Sequence, residues 1–390
     1  MLSLLTTAAL AAPPEACDLG GDAIYVLTIT PGAEVTDLFG HTALLITSEQ
    51  RDPIVYDWGH YAAGQLSTAL DFLRGNPTFW LGADALDEVI AKFEGQDRTI
   101  YAQRLALPQP MAQAVRAQID WRAPGDLEPF AYHWYRRNCT NEVMSLIDDA
   151  TGGQISTQRA GPSPHTAVRQ ALRHAGGNLP VWLGLHLGCG RIADAPLTEW
   201  EAMFMPQTGF DGLASSSLTW PDGTQHPLVD HTCTLGGGTR GFAPAQPPRR
   251  DLGLLAAGLA GGGLVLAADR SSQKLALLGI AVLGGVLGIL GSVVWIVGVF
   301  GMFEPVWQLH NLPLLSPLSA GLIPAALWAR RAPHSRLPAR FAAGLLALAV
   351  VGGLLAVAGG LQDRNLGVMG LAFPWLLASL IVLRPRRSIA

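Results

Sequence analysis

The sequence predicts an α+β domain outside the cytoplasm, followed by an all-α bundle of about five transmembrane helices. Its composition indicates the membrane part, because 49% of the residues are hydrophobic and only 14% are charged, a balance too apolar for an ordinary soluble protein. The first 250 residues carry 26 acidic and 16 basic side chains, and the remainder carry 4 and 10. This acidic first part excludes nucleic acid as a partner, since binding phosphates requires a basic surface.

The N-terminus has the features of a signal peptide. Residues 1–16 contain an apolar run that ends in small residues, Ala9, Ala11 and Ala12, before two prolines. This pattern predicts export and removal of the segment. In an oxidising compartment two of Cys17, Cys189 and Cys233 are expected to form a disulfide, and the pattern does not choose between them.

The exported domain is predicted to comprise residues 17–235, with a linker rich in Gly and Pro over 236–250. An Asp-Gly turn signals a hairpin at 217–229. Alternation of β-branched and aromatic residues predicts the strands, and helical periodicity predicts the helices. The predicted strands are 22–30, 41–46, 53–60 and 98–107, and the predicted helices are 66–74, 84–94, 109–121, 139–151, 164–176 and 197–206.

The transmembrane domain is predicted over residues 251–390. Its apolar stretches match the roughly 20 helical residues that cross a bilayer core. They are 252–268, 275–300, 307–328, 341–361 and 366–383. Arginines cluster after the third and the fifth stretch, and short basic segments stay in the cytoplasm. Five spans therefore predict a cytoplasmic C-terminus and an exported domain on the outer side.

One cysteine lies where a nucleophile is expected. Cys139 follows Asn138 and precedes the helix-like run 143–147. The positive end of a helix dipole favours thiolate over thiol, which makes the sulfur more nucleophilic. A small cysteine near a helix start is also ordinary packing. The residue pattern alone leaves both interpretations open.

A histidine that can accept the thiol proton occurs earlier in the chain. His41 begins a predicted strand directly after Phe39 and Gly40, where a glycine lets a ligand approach the backbone closely. A helix-start cysteine beside a strand histidine is the papain-like arrangement, here permuted so that the histidine comes first. The predicted exported domain is therefore a permuted papain-like cysteine-histidine domain.

Neighbouring residues complete the candidate site. If the second and third strands pair antiparallel, residues near 60 face His41, which favours His60 as the residue that orients the imidazole and leaves Asp57 as the alternative. The amide of Asn138 and the backbone N–H of Cys139 are candidates to stabilise an oxyanion. No CxxC, HExxH, acidic calcium loop or phosphate-binding glycine loop occurs, so no metal and no cofactor is predicted.

Several stretches together resemble one family. They are PGAEVTDLFGHTALLI, VYDWGHY, FLRGNPTFWLG, YHWYRRNCTNEVMSLID and WLGLHLGCGRIADAPLTEWEAMFMP, with EPVWQLHNLPLLSPLS in the membrane part. In order and spacing they are similar to the Lnb N-terminal periplasmic domain family, and Lnb is a bacterial lipoprotein N-acyltransferase. The resemblance extends over about residues 22–330.

The resemblance implies a two-step acyl transfer. Cys139 would carry the acyl chain as a thioester and His41 would act as base. The donor would be a membrane phospholipid, and the acceptor the α-amine of a lipoprotein's N-terminal diacylglyceryl-cysteine. Both lipids lie at the outer face of the bacterial inner membrane, so the domain would be periplasmic. Trp307, His310 and Asn311 would line the entry of the donor lipid, although aromatic residues at that level also form a membrane-interface belt.

Other functions remain open at this stage. A membrane-anchored papain-like cysteine peptidase or amidase acting on cell-wall peptides would use the same cysteine and histidine. An acyltransferase with a glycolipid or sugar acceptor is a further alternative, and a non-enzymatic binding module would leave Cys139 inert. The five predicted spans argue against a wall hydrolase, which needs at most one anchor.

Overall fold

The computed structural model describes residues 15–61, 71, 74–75, 77–122, 129–302, 304, 309, 311–358 and 363–385. The first 14 residues of the predicted signal peptide and nearly all of the predicted helix 66–74 lie outside these ranges. The chain divides into two compact units. The first comprises Met1–Gly64, Pro77–His165 and Pro196–Pro244, and the second comprises Gln65–Asn76, Thr166–Ala195 and Ala245–Ala390.

The first unit contains a seven-stranded antiparallel sheet with the order β6-β4-β3-β2-β1-β5-β9. Its strands include all four that the sequence predicts, together with three that the sequence did not predict. They are β1 (Ile24–Ile29), β2 (His41–Ser48), β3 (Arg51–Tyr61), β4 (Thr78–Ala85), β5 (Ile100–Leu105), β6 (Phe130–Ala131) and β9 (Val229–Gly236). The predicted Asp-Gly hairpin is a separate pair formed by β7 (Ser217–Thr219) and β8 (Gln225–Pro227).

Helices of the first unit lie on both faces of this sheet. The helices of the first unit are α1 (Leu86–Glu94), α2 (Gln109–Arg122), α3 (Cys139–Ala150), α4 (Gln154–Gln158), α7 (Glu199–Ala202) and α8 (Pro206–Ala214), and α5 (Ala167–His174) and α6 (Leu179–Gly188) belong to the second unit. Helix α1 buries Val89 and Phe93 with inward residues of β1, β2 and β5. Helix α3 lies on the opposite face, where Thr140 and Thr42 hydroxyls are 3.0 Å apart.

A disulfide joins the two ends of the first unit. Cys17 bonds to Cys233 on β9, across 216 residues of chain. Neither Cys139 nor Cys189 takes part in a disulfide, and Cys189 is buried. The structure therefore identifies the pair that the sequence left open.

The second unit contains four described helices that are long and apolar enough to cross a membrane. They are α9 (Asp251–Ser271), α10 (Gln273–Phe300), α12 (Leu337–Ala358) and the part Asn365–Val382 of α13 (Asp363–Val382). Small residues bring two of them close together, because a Cβ added at Gly258 would collide with the Gly370 carbonyl of α13. Such close approach through small residues is typical of helix pairs in membranes.

Of the five predicted spans, four correspond to described helices long and apolar enough to cross a membrane, and the third stays a prediction. Within the third predicted stretch, 307–328, the described residues form a 3-10 turn, Pro317–Gly321, and the start of a ten-residue helix, α11 (Leu322–Arg331). Pro313, Pro317 and Pro324 interrupt this stretch, and a proline lacks the N–H that a continuous helix needs. The cytoplasmic C-terminus was deduced from five crossings, so it stays a prediction.

Candidate active site

The sequence folds Cys139 into the first turn of helix α3 through a capping box. The Asn138 side-chain oxygen accepts the backbone N–H groups of Thr140 (2.9 Å) and Asn141 (3.0 Å). The Asn141 side chain accepts the Asn138 N–H in return, at 3.1 Å. Such a cap stabilises a helix by about 1 kcal/mol. It fixes the half-buried Cys139 sulfur at the positive end of the helix.

The amide of Asn138 has a structural task that contradicts its predicted role at an oxyanion. Its Nδ2 donates to the carbonyl of Trp134 at 2.9 Å and to that of Phe204 at 3.0 Å. Both amide hydrogens are therefore engaged, and the side chain is 5% exposed. Asn138 holds the helix start against the segment before α8 instead of facing a substrate.

A glycine and a strand place His41 beside this helix start. Gly40 has a φ of +80°, which favours glycine, and a Cβ there would lie 2.9 Å from the Ile29 carbonyl. Gly40 therefore lets the chain turn sharply into β2, whose first residue is His41. An added Cβ would also lie 3.4 Å from Pro206. A role of Phe39 and Gly40 in binding a substrate stays a prediction.

Asp57 orients His41. The His41 Nε2–H donates to Asp57 Oδ1 at 2.7 Å, and the Gly59 N–H donates to the same oxygen at 2.7 Å. A Cβ at Gly59 would lie 2.6 Å from His41 Cε1, so this position admits the imidazole only because it is glycine. With Nε2 engaged by Asp57, the other ring nitrogen of His41 is left for the hydrogen bond to Cys139.

The prediction that His60 is the closer partner of His41 is wrong. His60 Nε2 pairs with Asp84 Oδ2 at 2.9 Å, and its ring lies over Gly82, where a Cβ would collide with it. Strand β3 carries a bulge between Asp57 and His60. A bulge inserts a residue and changes side-chain directions, so a simple antiparallel register does not identify the partner.

Asp57, His60 and Asp84 together form a polar cluster. One ligand-type atom from each lies within 4.8 Å of the others, a proximity that a divalent cation can use. In this structure His60 pairs with Asp84, whereas Asp57 accepts the His41 N–H. The His60 and Asp84 pair therefore lies beside the His41 and Asp57 pair.

The electrostatics of the site favour an ion pair between sulfur and imidazole. Burial disfavours a charged His41, but the negative charges of Asp57 and Cys139 outweigh it and raise the pKa of His41 to about 10. Burial also raises the pKa of the Cys139 thiol, yet the His41 charge and the Thr42 backbone N–H lower it more, so that pKa lies below its ordinary value. The Asp57 pKa is likewise lowered, because His41 overcomes the effect of burial.

This arrangement provides a nucleophile, a proton carrier and an orienting carboxylate. A thiolate at a helix N-terminus, paired with an imidazolium that a buried carboxylate holds, is chemically competent to attack a carbonyl and protonate its leaving group. Thr42, Gly59 and Asp84 were not singled out from the sequence. Their positions in the sequence could have identified two of them, because Thr42 directly follows His41 and Gly59 lies between the candidates Asp57 and His60.

The three residues predicted to line a lipid entry belong to the second unit. Trp307 and His310 lie outside the described residues, so their role stays a prediction. Asn311 is buried, donates to the Leu187 carbonyl at 3.4 Å and accepts from Asn365 at 3.1 Å. Asn311 therefore joins described helices to one another, and its side chain is not exposed to a lipid.

Comparison with known proteins gives one match. Residues 16–174 match the family model described as the Lnb N-terminal periplasmic domain. The matched range includes His41, Asp57, His60, Asp84 and Cys139. No curated protein and no solved structure matches the chain.

Proposed function

We propose that this chain, whose residues 16–174 belong to the Lnb N-terminal periplasmic domain family, is a membrane-bound lipoprotein N-acyltransferase. The family and the four apolar helices make it a membrane protein with an N-terminal periplasmic domain. The observation that carries the proposal is the hydrogen bond between Cys139 and His41 at a helix start, with Asp57 bonded to the other side of the imidazole.

In the first half-reaction the Cys139 thiolate attacks an ester carbonyl of a phospholipid. The carbon–sulfur bond forms and the carbonyl π electrons move to oxygen. When the tetrahedral intermediate collapses, the bond to the glycerol oxygen breaks and His41 gives that oxygen its proton. The products are a lysophospholipid, a neutral imidazole and a thioester on Cys139.

In the second half-reaction the α-amine of a diacylglyceryl-cysteine attacks the thioester. Neutral His41 accepts a proton from the nitrogen, the carbon–sulfur bond breaks, and an amide leaves with the acceptor. The thiolate and the imidazolium are restored. General acid–base catalysis of this kind contributes about 100- to 10,000-fold to the rate, and Asp57 keeps the imidazole correctly oriented in both halves.

The membrane part supports a lipid donor over a soluble one. Both proposed substrates are anchored in the outer leaflet of the inner membrane, and a domain tied to several apolar helices meets them there. A cysteine peptidase or amidase acting on cell-wall peptides would use the same three residues, but one anchor would suffice for it. An acyltransferase with a different acceptor shares the first half-reaction and differs only in the second.

The test is acyl transfer by the full chain in phospholipid vesicles to a synthetic diacylglyceryl-cysteinyl peptide. The proposal predicts an amide-linked acyl chain on the peptide with wild type and with Cys189→Ala, and none with Cys139→Ala. Cys189 is the matched control because it is the other cysteine outside the disulfide. Product formation by Cys139→Ala, or cleavage of the peptide by wild type without acylation, would refute the proposal.

A further inference from the structure

The proposed reaction builds negative charge on the ester oxygen, and the site needs donors for it. The Cys139 backbone N–H is one, because the first N–H groups of a helix have no intrahelical acceptor. The Asn138 amide is excluded by its bonds to two carbonyls. The buried Thr140 hydroxyl is paired with Thr42. A second donor must come from another element.

The turn before helix α3 brings Tyr132 next to the helix start. His133 N–H donates to the Arg137 carbonyl at 2.8 Å, and Arg137 N–H donates to the His133 carbonyl at 3.0 Å. This is an antiparallel bridge, so the residue before it, Tyr132, lies opposite the residue after it, Asn138. Tyr132 is therefore beside the residue that immediately precedes Cys139.

The Tyr132 ring is held in place from the sheet side. It stacks on Phe79 of β4, with ring centroids 4.2 Å apart and planes 26° from parallel. Its backbone N–H donates to the Pro77 carbonyl at 2.8 Å. The side chain is half-buried. Stacking of this kind favours one orientation of the Tyr132 ring.

Two effects keep the Tyr132 phenol protonated. Burial, and then the negative charge of the Cys139 sulfur, raise the pKa of Tyr132 above its ordinary value. The hydroxyl therefore keeps its proton wherever Cys139 is a thiolate. A neutral O–H beside a developing anion is a hydrogen-bond donor, and it places no second negative charge in the site.

We propose that the Tyr132 hydroxyl donates a hydrogen bond to the ester oxygen as it becomes an oxyanion, together with the Cys139 backbone N–H. The inference rests on the proposed function for the identity of the ester. The two donors keep their protons. The π pair moves to oxygen, where the Tyr132 O–H and the Cys139 N–H stabilise it. On collapse the pair returns while His41 protonates the leaving oxygen. The same two donors serve the attack of the amine on the thioester.

The charge of Cys139 also acts on Arg98. Its Nε donates to the Thr30 carbonyl at 2.7 Å, and its guanidinium lies 4.9 Å above the Phe93 ring. With 1% exposure, Arg98 cannot touch an ester at the sulfur. Its positive charge acts on the thiolate only through space.

The test compares two reactions of the same sulfur in the full chain. Acylation by an ester passes through an oxyanion, whereas alkylation by iodoacetamide does not. Tyr132→Phe keeps the ring and removes one hydroxyl. Tyr61→Phe is the matched control, since the Tyr61 ring contacts the same Phe79 at 5.1 Å. Acylation is measured with two esters, a vesicle phospholipid and a p-nitrophenyl acyl ester. Thermal unfolding of each variant is measured as well.

We expect Tyr132→Phe to slow acylation by either ester about 100- to 1,000-fold, as loss of one oxyanion donor does elsewhere, with an unchanged alkylation rate. Tyr61→Phe should change neither rate. Equal loss of acylation and alkylation would indicate a structural role and overturn the proposal, as would unchanged acylation. A wild type that reacts with the p-nitrophenyl ester but not with phospholipid would refute the proposed function while leaving the Tyr132 comparison intact.

Discussion

Replacing Asp57 with Asn removes the charge that holds His41 as an imidazolium and keeps a side chain of nearly the same shape. The His41 pKa rises from 6.5 to about 10, which corresponds to about 5 kcal/mol in favour of the charged ring. Among the interactions that raise the His41 pKa, the charge of Asp57 contributes most. Without the Asp57 charge the His41 pKa falls, because burial then opposes the charged ring with less to offset it.

The sign of the pH effect follows from the two pKa shifts. The ion pair exists above the pKa of Cys139 and below that of His41. Without Asp57 the upper limit moves to lower pH, and the thiolate, which loses the imidazolium that stabilises it, forms only at higher pH. The range of pH over which Cys139 and His41 are both charged therefore narrows from both sides. We expect the rate of acyl transfer by Asp57→Asn to fall by about 100- to 10,000-fold.

The assay is the rate of Cys139 alkylation by iodoacetamide as a function of pH, followed by intact mass. Asp57→Asn should move the acid limb of the profile to higher pH. Asp84→Asn is the control, because Asp84 bonds to His60 and not to His41, and its profile should stay close to wild type. An Asp57→Asn profile that superimposes on wild type would refute the assignment of Asp57 as the orienting residue.

Three further predictions follow from the same contacts. Gly59→Ala places a Cβ 2.6 Å from His41 Cε1, so it should abolish acyl transfer while thermal unfolding shows a folded protein; full activity would contradict the close approach. Cys17→Ser with Cys233→Ser removes the disulfide and should destabilise the protein by about 2–5 kcal/mol, seen as a lower Tm, whereas an unchanged Tm would contradict a stabilising role. A reporter fused after residue 390 should report a cytoplasmic C-terminus by the positive-inside rule; a periplasmic signal would contradict the deduced orientation.

Local sequence signals predicted the elements that carry the chemistry. Alternation of apolar residues predicted β1, β2, β3 and β5, and the Asn138 and Cys139 pair predicted the start of α3. Each of these features depends on residues close together in sequence. They were sufficient to select Cys139 and His41 before any tertiary contact was considered.

Long-range contacts account for what the sequence did not predict. The sequence assigned Asn138 to an oxyanion. Its actual bond to the Phe204 carbonyl joins residues far apart in the chain, so local sequence signals could not predict it. His60 was favoured over Asp57 because the β3 bulge depends on the pairing with β4, a strand that was not predicted. Hydropathy alone suggested a span at 307–328, although its prolines limit the helix there.

The most direct test of the account is capture of the acyl chain on Cys139. The full chain is incubated with phospholipid vesicles in the absence of acceptor, and its intact mass is measured for wild type, Cys139→Ala and Cys189→Ala. The account predicts one fatty-acyl mass increment on wild type and Cys189→Ala, removed by hydroxylamine, and none on Cys139→Ala. An increment that persists in Cys139→Ala, or no increment on any of the three when acyl transfer to an added acceptor is also absent, would contradict a thioester mechanism at this site.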